Sequence, residues 1–231
     1  MRASRRADER DRVVPGEVHG WLVDLEAPPD GAVMLVGPAE IARAASYLSR
    51  RDAARFAAGR AWLRLILGRY LDADPGRLEF EAESGGRPAL AGATAGVIHF
   101  SLSRSADRGF VAVSCSPVGA DIELARARAG LVDLITTRFG VGEARCIIAG
   151  CGGSPVRGFY RHWTAKEAYL KATGRGLTGL CTTELICGPV PGIRDNGHEA
   201  NWTLSLMDAA PDCVVAIVGA GHVTRLGVAG Q

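Results

Sequence analysis

Three acids and two lysines stand out by type and spacing. In VGADIELARAR, Asp121 and Glu123 lie two apart in a short run that reads as a strand. Both carboxylates therefore leave one face while Ile122 points into the core. Two acids side by side repel unless something positive lies between them, and a hard divalent cation is the usual solution. The plain alternative is a solvated strand edge. Some forty residues on, WTAKEAYLKATGRG holds both lysines of the chain, Lys166 and Lys171, whereas the other 25 basic residues are arginine. On a helix, Trp163, Glu167 and Lys171 share a face, which could be no more than an i,i+4 pair worth roughly 0.3–0.5 kcal/mol. That pair could have used arginine. Lysine is a compact point charge where guanidinium is a broad fork, so a site crowded by metal and phosphate can require it. The distribution points to a functional demand on Lys166 or Lys171.

Elements must hold these groups. The run GEVHGWLVDLE alternates as a half-buried strand does, and PAEIARAASYLS and DAARFAAGRAWLRLILGRYL (52–71) have helical periodicity, with Asp52 as the expected N-cap. RLEFEAE, GVIHFSLS, GFVAVSCS and GADIELA then read as strands. Helices return with GLVDLITTRF, GEARCIIAG and PVRGFYRHWTAKEAYLKAT, and strands with TTELICG, NWTLSLM and CVVAIVGAG. The order of element types in the first half recurs loosely in the second. The fold class is therefore α+β, with two similar lobes, 13–116 and 117–231, meeting near Pro117 and a ligand cleft between them. Residues 1–12 are expected to form a disordered, mixed-charge arm.

The 231 residues are 47% hydrophobic and carry a net charge of +2, which suits a globular protein with a compact anionic ligand better than a dedicated nucleic-acid binder. No stretch has the apolar length of a membrane span or a signal peptide, so a soluble cytoplasmic protein is expected. Cys115, Cys146, Cys151, Cys181, Cys187 and Cys213 show neither CxxC spacing nor a histidine placed as a zinc-ligand pair, and reduced, mostly buried thiols follow. His99 and His162 read as structural. No Ser/His/Asp triad or GxSxG elbow is visible.

Taken together, GxDxE and WxxKEAxxKxxGxGL resemble the 4'-phosphopantetheinyl transferases of the surfactin-synthetase-activating (Sfp) type, in their W/KEA class. Gly119, Asp121, Glu123, Trp163, Lys166, Glu167, Ala168, Lys171, Gly174, Gly176 and Leu177 all match. RFAAGRAWLR resembles the family's first arginine-bearing helix, with Arg60 at the matching arginine, and SGGRPAL its Gly-base-Pro turn, with Arg87 as the base. One position departs: where the family commonly reads N, apolar, S, H, S, this chain has Ser101, Leu102, Ser103, Arg104 and Ser105. An arginine can hold a phosphate as a histidine would, and without losing its charge.

The resemblance implies a pseudo-dimeric fold and a transfer of the 4'-phosphopantetheine arm from coenzyme A to a serine of an apo acyl or peptidyl carrier protein, releasing adenosine 3',5'-bisphosphate. Magnesium, with manganese an option, would be held by Asp121, Glu123 and Glu167. Glu167 and Lys171 are the catalytic pair it implies, with either Glu167 or a metal-bound water as base. Arg60, Arg87, Ser103, Arg104, Lys166 and Lys171 would bind coenzyme A, with Arg43 and Arg55 as lesser candidates. A monomer would suffice, with neither nucleic acid nor membrane as partner. Two rivals remain: a catalytically silent coenzyme A or nucleotide-binding scaffold, and a magnesium-dependent phosphatase or nuclease.

Overall fold

A computed structural model of the chain describes residues 12–82, 86–150, 153–188, 191–210 and 212–230. The expected N-terminal arm lies outside these, apart from Arg12. The first half runs β1 (Glu17–Asp24), α1 (Ala32–Leu35), α2 (Pro38–Ala45), α3 (Arg50–Leu71), β2 (Phe80–Ala82), β3 (Pro88–Leu90), β4 (His99–Ser105) and β5 (Arg108–Ser114). The second runs β6 (Val118–Leu124), α4 (Leu131–Arg138), α5 (Val141–Ile148), α6 (Pro155–Thr173), β7 (Thr183–Ile186), β8 (Gly192–Asp195), β9 (His198–Glu199), β10 (Thr203–Ala210), β11 (Cys213–Gly219) and β12 (His222–Val228).

The repetition is visible in the sheets. The strand orders β4-β5-β1 and β10-β11-β6 correspond, each a late hairpin added to the strand that opens its half, and β2-β3 is answered by β7-β8. β12 breaks the scheme. Although last in sequence, it pairs in parallel with β1, so the final strand of the second half completes the sheet of the first.

Alternation along the strands explains the layering. β5 turns Val111 and Val113 toward α3, where they pack with Trp21, Leu63 and Leu67. Its Phe110 and Ala112 face the other way, onto Ala120 and Ile122 of β6 and Val215 and Ile217 of β11. On the far side of the second sheet, Ala216 and Val218 meet Ala165, Ala168 and Tyr169 of α6. The order is thus helix, sheet, sheet, helix, and the apolar layer between the sheets is common to both halves.

α3 begins at Ser49, whose hydroxyl accepts from the Asp52 amide at 3.2 Å; the expected cap, Asp52, lies inside the first turn, where its charge complements the helix N-terminus. α6 is bounded more sharply. Ser154 caps it by accepting from the Arg157 amide, Pro155 opens it, and Gly174 ends it at φ 68°, a left-handed conformation that favours glycine.

Each half also contains a buried glutamate at the third position of a short helix. Glu40 of α2 accepts from the Gly37 amide at 2.8 Å and pairs with the guanidinium groups of Arg60 and Arg64 of α3. Glu143 of α5 accepts from the Leu185 amide and from the ammonium of Lys166 on α6, at 2.8 and 2.7 Å. Lys166 is 2% exposed, so its charge lies inside the protein, with the Phe139 ring 4.6 Å away. Removing one partner of such a pair strands the other charge in a poor solvent. Lys166→Ala should therefore lower stability by about 3–5 kcal/mol, measured as a fall in the denaturant midpoint; an unchanged midpoint would refute the structural role.

Candidate active site

β6 and α6 meet where side chains are smallest. Gly119, Asp121 and Glu123 alternate onto one side of β6, and a Cβ on Gly119 would lie 2.0 Å from the Ala168 carbonyl oxygen and 2.4 Å from the Ala172 nitrogen. Only glycine permits that approach. Next to the contact, Lys171 reaches Asp121, its Nζ 2.5 Å from Oδ1, and Glu167 Oε2 stands 3.7 Å from the same ammonium.

Serines of β4 complete the arrangement. Ser101, Ser103 and Ser105 share one face by period-2 spacing and line the outer edge of β6, which among the described residues pairs with β11 alone. Ser101 accepts from the Ala120 amide at 3.0 Å, and Ser105 from the Leu124 amide at 3.2 Å, satisfying donors that an edge strand would otherwise expose. Ser103 donates to Asp121 Oδ1 at 2.6 Å and Ser105 to Glu123 Oε2 at 2.7 Å. The first sheet thereby orients the acids of the second.

Three carboxylates face one ammonium. Burial, then the charges of Asp121 and Glu167, push Glu123 up to about 7, against the opposing pull of Ser105 and Lys171. Burial and the Asp121 charge also hold Glu167 above the usual carboxylate range, partly offset by Lys171. Asp121 Oδ2 is buried and has no hydrogen-bond partner among the described residues. A hard divalent cation fits this set: all donors are oxygens, negative charge is in excess, and a buried anionic oxygen points at nothing.

The other expected site residues are placed unequally. Arg87 donates from Nη1 to the Lys171 carbonyl, tying the β3 turn to the C-terminal end of α6, where positive charge is favoured. Arg104 projects from β4 opposite to Ser103, its guanidinium 5.0 Å from the Phe56 ring centroid and its Nη2 3.4 Å from the Tyr47 hydroxyl. Gly59 leaves the room for it, since a Cβ there would sit 2.9 Å from Arg104 Cδ. Leu25, Tyr47, Asp52, Arg55, Arg104 and Ala106 line a cavity of about 190 Å³. Arg43 lies over the Tyr47 ring at 5.7 Å, and Arg55 is held by Glu26 at 2.6 Å.

Two expected coenzyme A ligands are engaged by internal acids. Arg60 is 6% exposed and its guanidinium is paired with Glu40, and Lys166 is 2% exposed and paired with Glu143. In both, an internal acid claims the charge. Ser105 and Tyr47, which spacing did not single out, do have partners here; the signal for Ser105 lay in the same SLSRS alternation that marked Ser103.

The comparisons with known proteins agree with this architecture. The family model described as the 4'-phosphopantetheinyl transferase superfamily matches residues 117–218, which carry the three acids and α6. Over 214 residues the chain is 36% identical to 4'-phosphopantetheinyl transferase HetI of Nostoc, covering 89% of this chain and 88% of that protein. It is 32% identical over 190 residues to a phosphopantetheinyl transferase of Thraustochytrium, covering 74% and 65%. A 4'-phosphopantetheinyl transferase of Bacillus subtilis is 24% identical over 182 residues, covering 79% and 76%. With a glycine-gated strand and helix presenting three acids and a lysine, and with such relatives along most of its length, the chain belongs to the 4'-phosphopantetheinyl transferase superfamily and is an enzyme of that kind.

Proposed function

We propose that the enzyme is of the Sfp type and transfers the 4'-phosphopantetheine arm of coenzyme A to a serine of an apo acyl or peptidyl carrier protein, with adenosine 3',5'-bisphosphate as the leaving product. The observation that carries this is the unpartnered Asp121 Oδ2 beside two carboxylates whose protons are held unusually tightly. The halves 13–116 and 117–231 would form the walls of the ligand cleft.

Asp121, Glu123 and Glu167 would hold magnesium. When bound, the ion would neutralise the pyrophosphate's charge as the bond to the leaving group breaks. Phosphoryl transfer depends on positioning and positive charge more than on an enzyme nucleophile, which suits a site whose charged groups are three acids and a lysine. Lys171 stands with its ammonium on Asp121 and Ser103; once Asp121 has another counterion, that ammonium can turn to a phosphate oxygen. Glu167, held above the usual range, can take the proton of the carrier's serine. Arg104, with Tyr47 and Arg55 beside it, is the group best exposed to receive a further phosphate. The burial of Arg60 and Lys166 favours internal pairing as their contribution, and Arg87 would act through its hold on the end of α6.

Incubated with an apo carrier protein, coenzyme A and magnesium, the enzyme should add one phosphopantetheine mass to the carrier, and chelation should stop it. Unchanged masses across several acyl and peptidyl carriers would overturn the assignment, while release of phosphate or cut nucleic acid without a carrier would favour a hydrolase. Glu167→Gln and Lys171→Arg should each cost about 10²–10³-fold in turnover with thermal stability retained; near-normal rates would remove the residue from the chemistry.

Metal binding should also depend on pH. Metal-free Glu123 keeps its proton up to about pH 7, so binding below that pH must expel it. Magnesium affinity should weaken as pH falls from 7.5 to 6, and calorimetry in buffers of different ionisation enthalpy should show proton release at the lower pH. Affinity that is flat across this range would show that Glu123 is no ligand.

A further inference from the structure

A second cluster of ligand-type side chains lies outside the acidic site, where the cysteine spacing gave no warning of it. Cys146 on α5, His162 on α6 and Cys187 just past β7 bring one ligand atom each to within 4.8 Å of the others. Cys187 Sγ is 3.6 Å from Cys146 Sγ and 3.4 Å from His162 Nε2. Sequence reasoning expected His162 to be structural and the thiols to be reduced and mostly buried; His162 is buried, but Cys146 is disulfide-bonded, and among the described free cysteines Cys213 is buried while Cys181 and Cys187 are exposed. No short spacing reports this convergence, because the three side chains come from three elements.

The distances are informative. With Zn–S near 2.3 Å and Zn–N near 2.0–2.1 Å, the edges of a tetrahedron are about 3.8 Å for S···S and about 3.5 Å for S···N. The Cys146–Cys187 and Cys187–His162 separations come within about 0.2 Å of those edges. They do not match a bond between Cys146 and Cys187, which would need about 2.05 Å. The histidine is prepared for the role as well. Its Nδ1 lies 2.8 Å from the Gly158 carbonyl, so Nδ1 carries the proton and donates. The lone pair of Nε2 then faces the sulfur, as in most metal-bound histidines. Burial holds the imidazole below its ordinary range, which keeps it neutral.

Cys146 is disulfide-bonded in this structure, and a sulfur in that state is no ligand. A thiol reductant restores it by supplying two electrons, while two protons go to the separated sulfurs. We propose that in the reduced protein Cys146, His162 and Cys187 bind a soft divalent cation of the zinc class. Two thiols then lose their protons to solvent, the imidazole binds neutral, and one tetrahedral position is left for water or a further ligand. The three ligands join the same elements that Glu143 already links, α5, α6 and the region of β7, through Lys166 and the Leu185 amide. The metal would act as a clamp behind α6, on the helix that carries Glu167 and Lys171, and takes no part in phosphoryl transfer.

The test uses full-length protein, purified under a thiol reductant, loaded with zinc and desalted. Elemental analysis should find one zinc per chain, falling at least tenfold in Cys187→Ser and in His162→Gln. Cobalt in place of zinc should show the visible absorption and thiolate charge-transfer bands of a tetrahedral site. Zinc should raise the melting midpoint of the wild type and leave those of the two variants unmoved. No retained zinc, zinc unaffected by both substitutions, or a Cys146 disulfide that persists under the reductant would each overturn the proposal. None of these readouts uses transferase activity, so the result stands apart from the assignment of the acidic site.

Discussion

The close crossing of α6 over β6 at Gly119 is the constraint on which the rest depends. With a Cβ at that position the helix would have to lift away from the Ala168 carbonyl and the Ala172 nitrogen, and every group beyond the crossing would move with it. Ala168 and Ala172 keep the helix side of the contact equally thin. From this point the geometry follows by periodicity. Asp121 and Glu123 are the next positions on the same side of the strand, and Glu167 and Lys171 flank the alanines on the helix. A motif that looks like scattered letters is one packing contact read from both partners.

The second requirement is that carboxylates crowded by this contact do not escape to water. Ser103 and Ser105 direct Asp121 and Glu123 by donating to them, and they do so from the other half of the chain. Because the sheets share a continuous apolar layer and β12 crosses back to pair with β1, the two halves cannot separate without exposing that layer. The acidic site is thus built across the same layer that joins the sheets. Burial first, and the charges of the neighbouring acids second, raise the proton affinity of Glu123 and Glu167.

Much of this was legible in the sequence because it is local or periodic. The long helix 155–173 was readable from its apolar spacing, its proline entry and its glycine exit, and the DxE alternation placed both acids on one face. The topology repeat was readable as an order of element types. What could not be read were partnerships between elements. Asp52 resembles a cap, but Ser49 lies where the chain turns. The run HVTRLGV alternates in exposure as an ordinary edge strand does, and nothing local shows that it joins a sheet begun two hundred residues earlier. Cys146, His162 and Cys187 meet only because α5, α6 and β7 pack together.

The rarity of lysine looks different in this light. Its two instances lie five residues apart on one helix, and they were read as a single demand for a compact cation. The helix turns them to different surroundings. Lys171 meets acids that remain in excess, whereas Lys166 meets Glu143, an acid already fixed by a backbone amide. The first half provides the contrast: Glu40 is answered there by two arginines that also lie against the Phe80 ring, and the wide guanidinium fork of Arg64 satisfies the Pro75 and Leu78 carbonyls. At Glu143 the amides of Leu185 and Gly140 donate, as the Gly37 amide does to Glu40, and one compact ammonium, that of Lys166, completes the set. The two lysines therefore serve different partners, and only Lys171 stands at the acidic site.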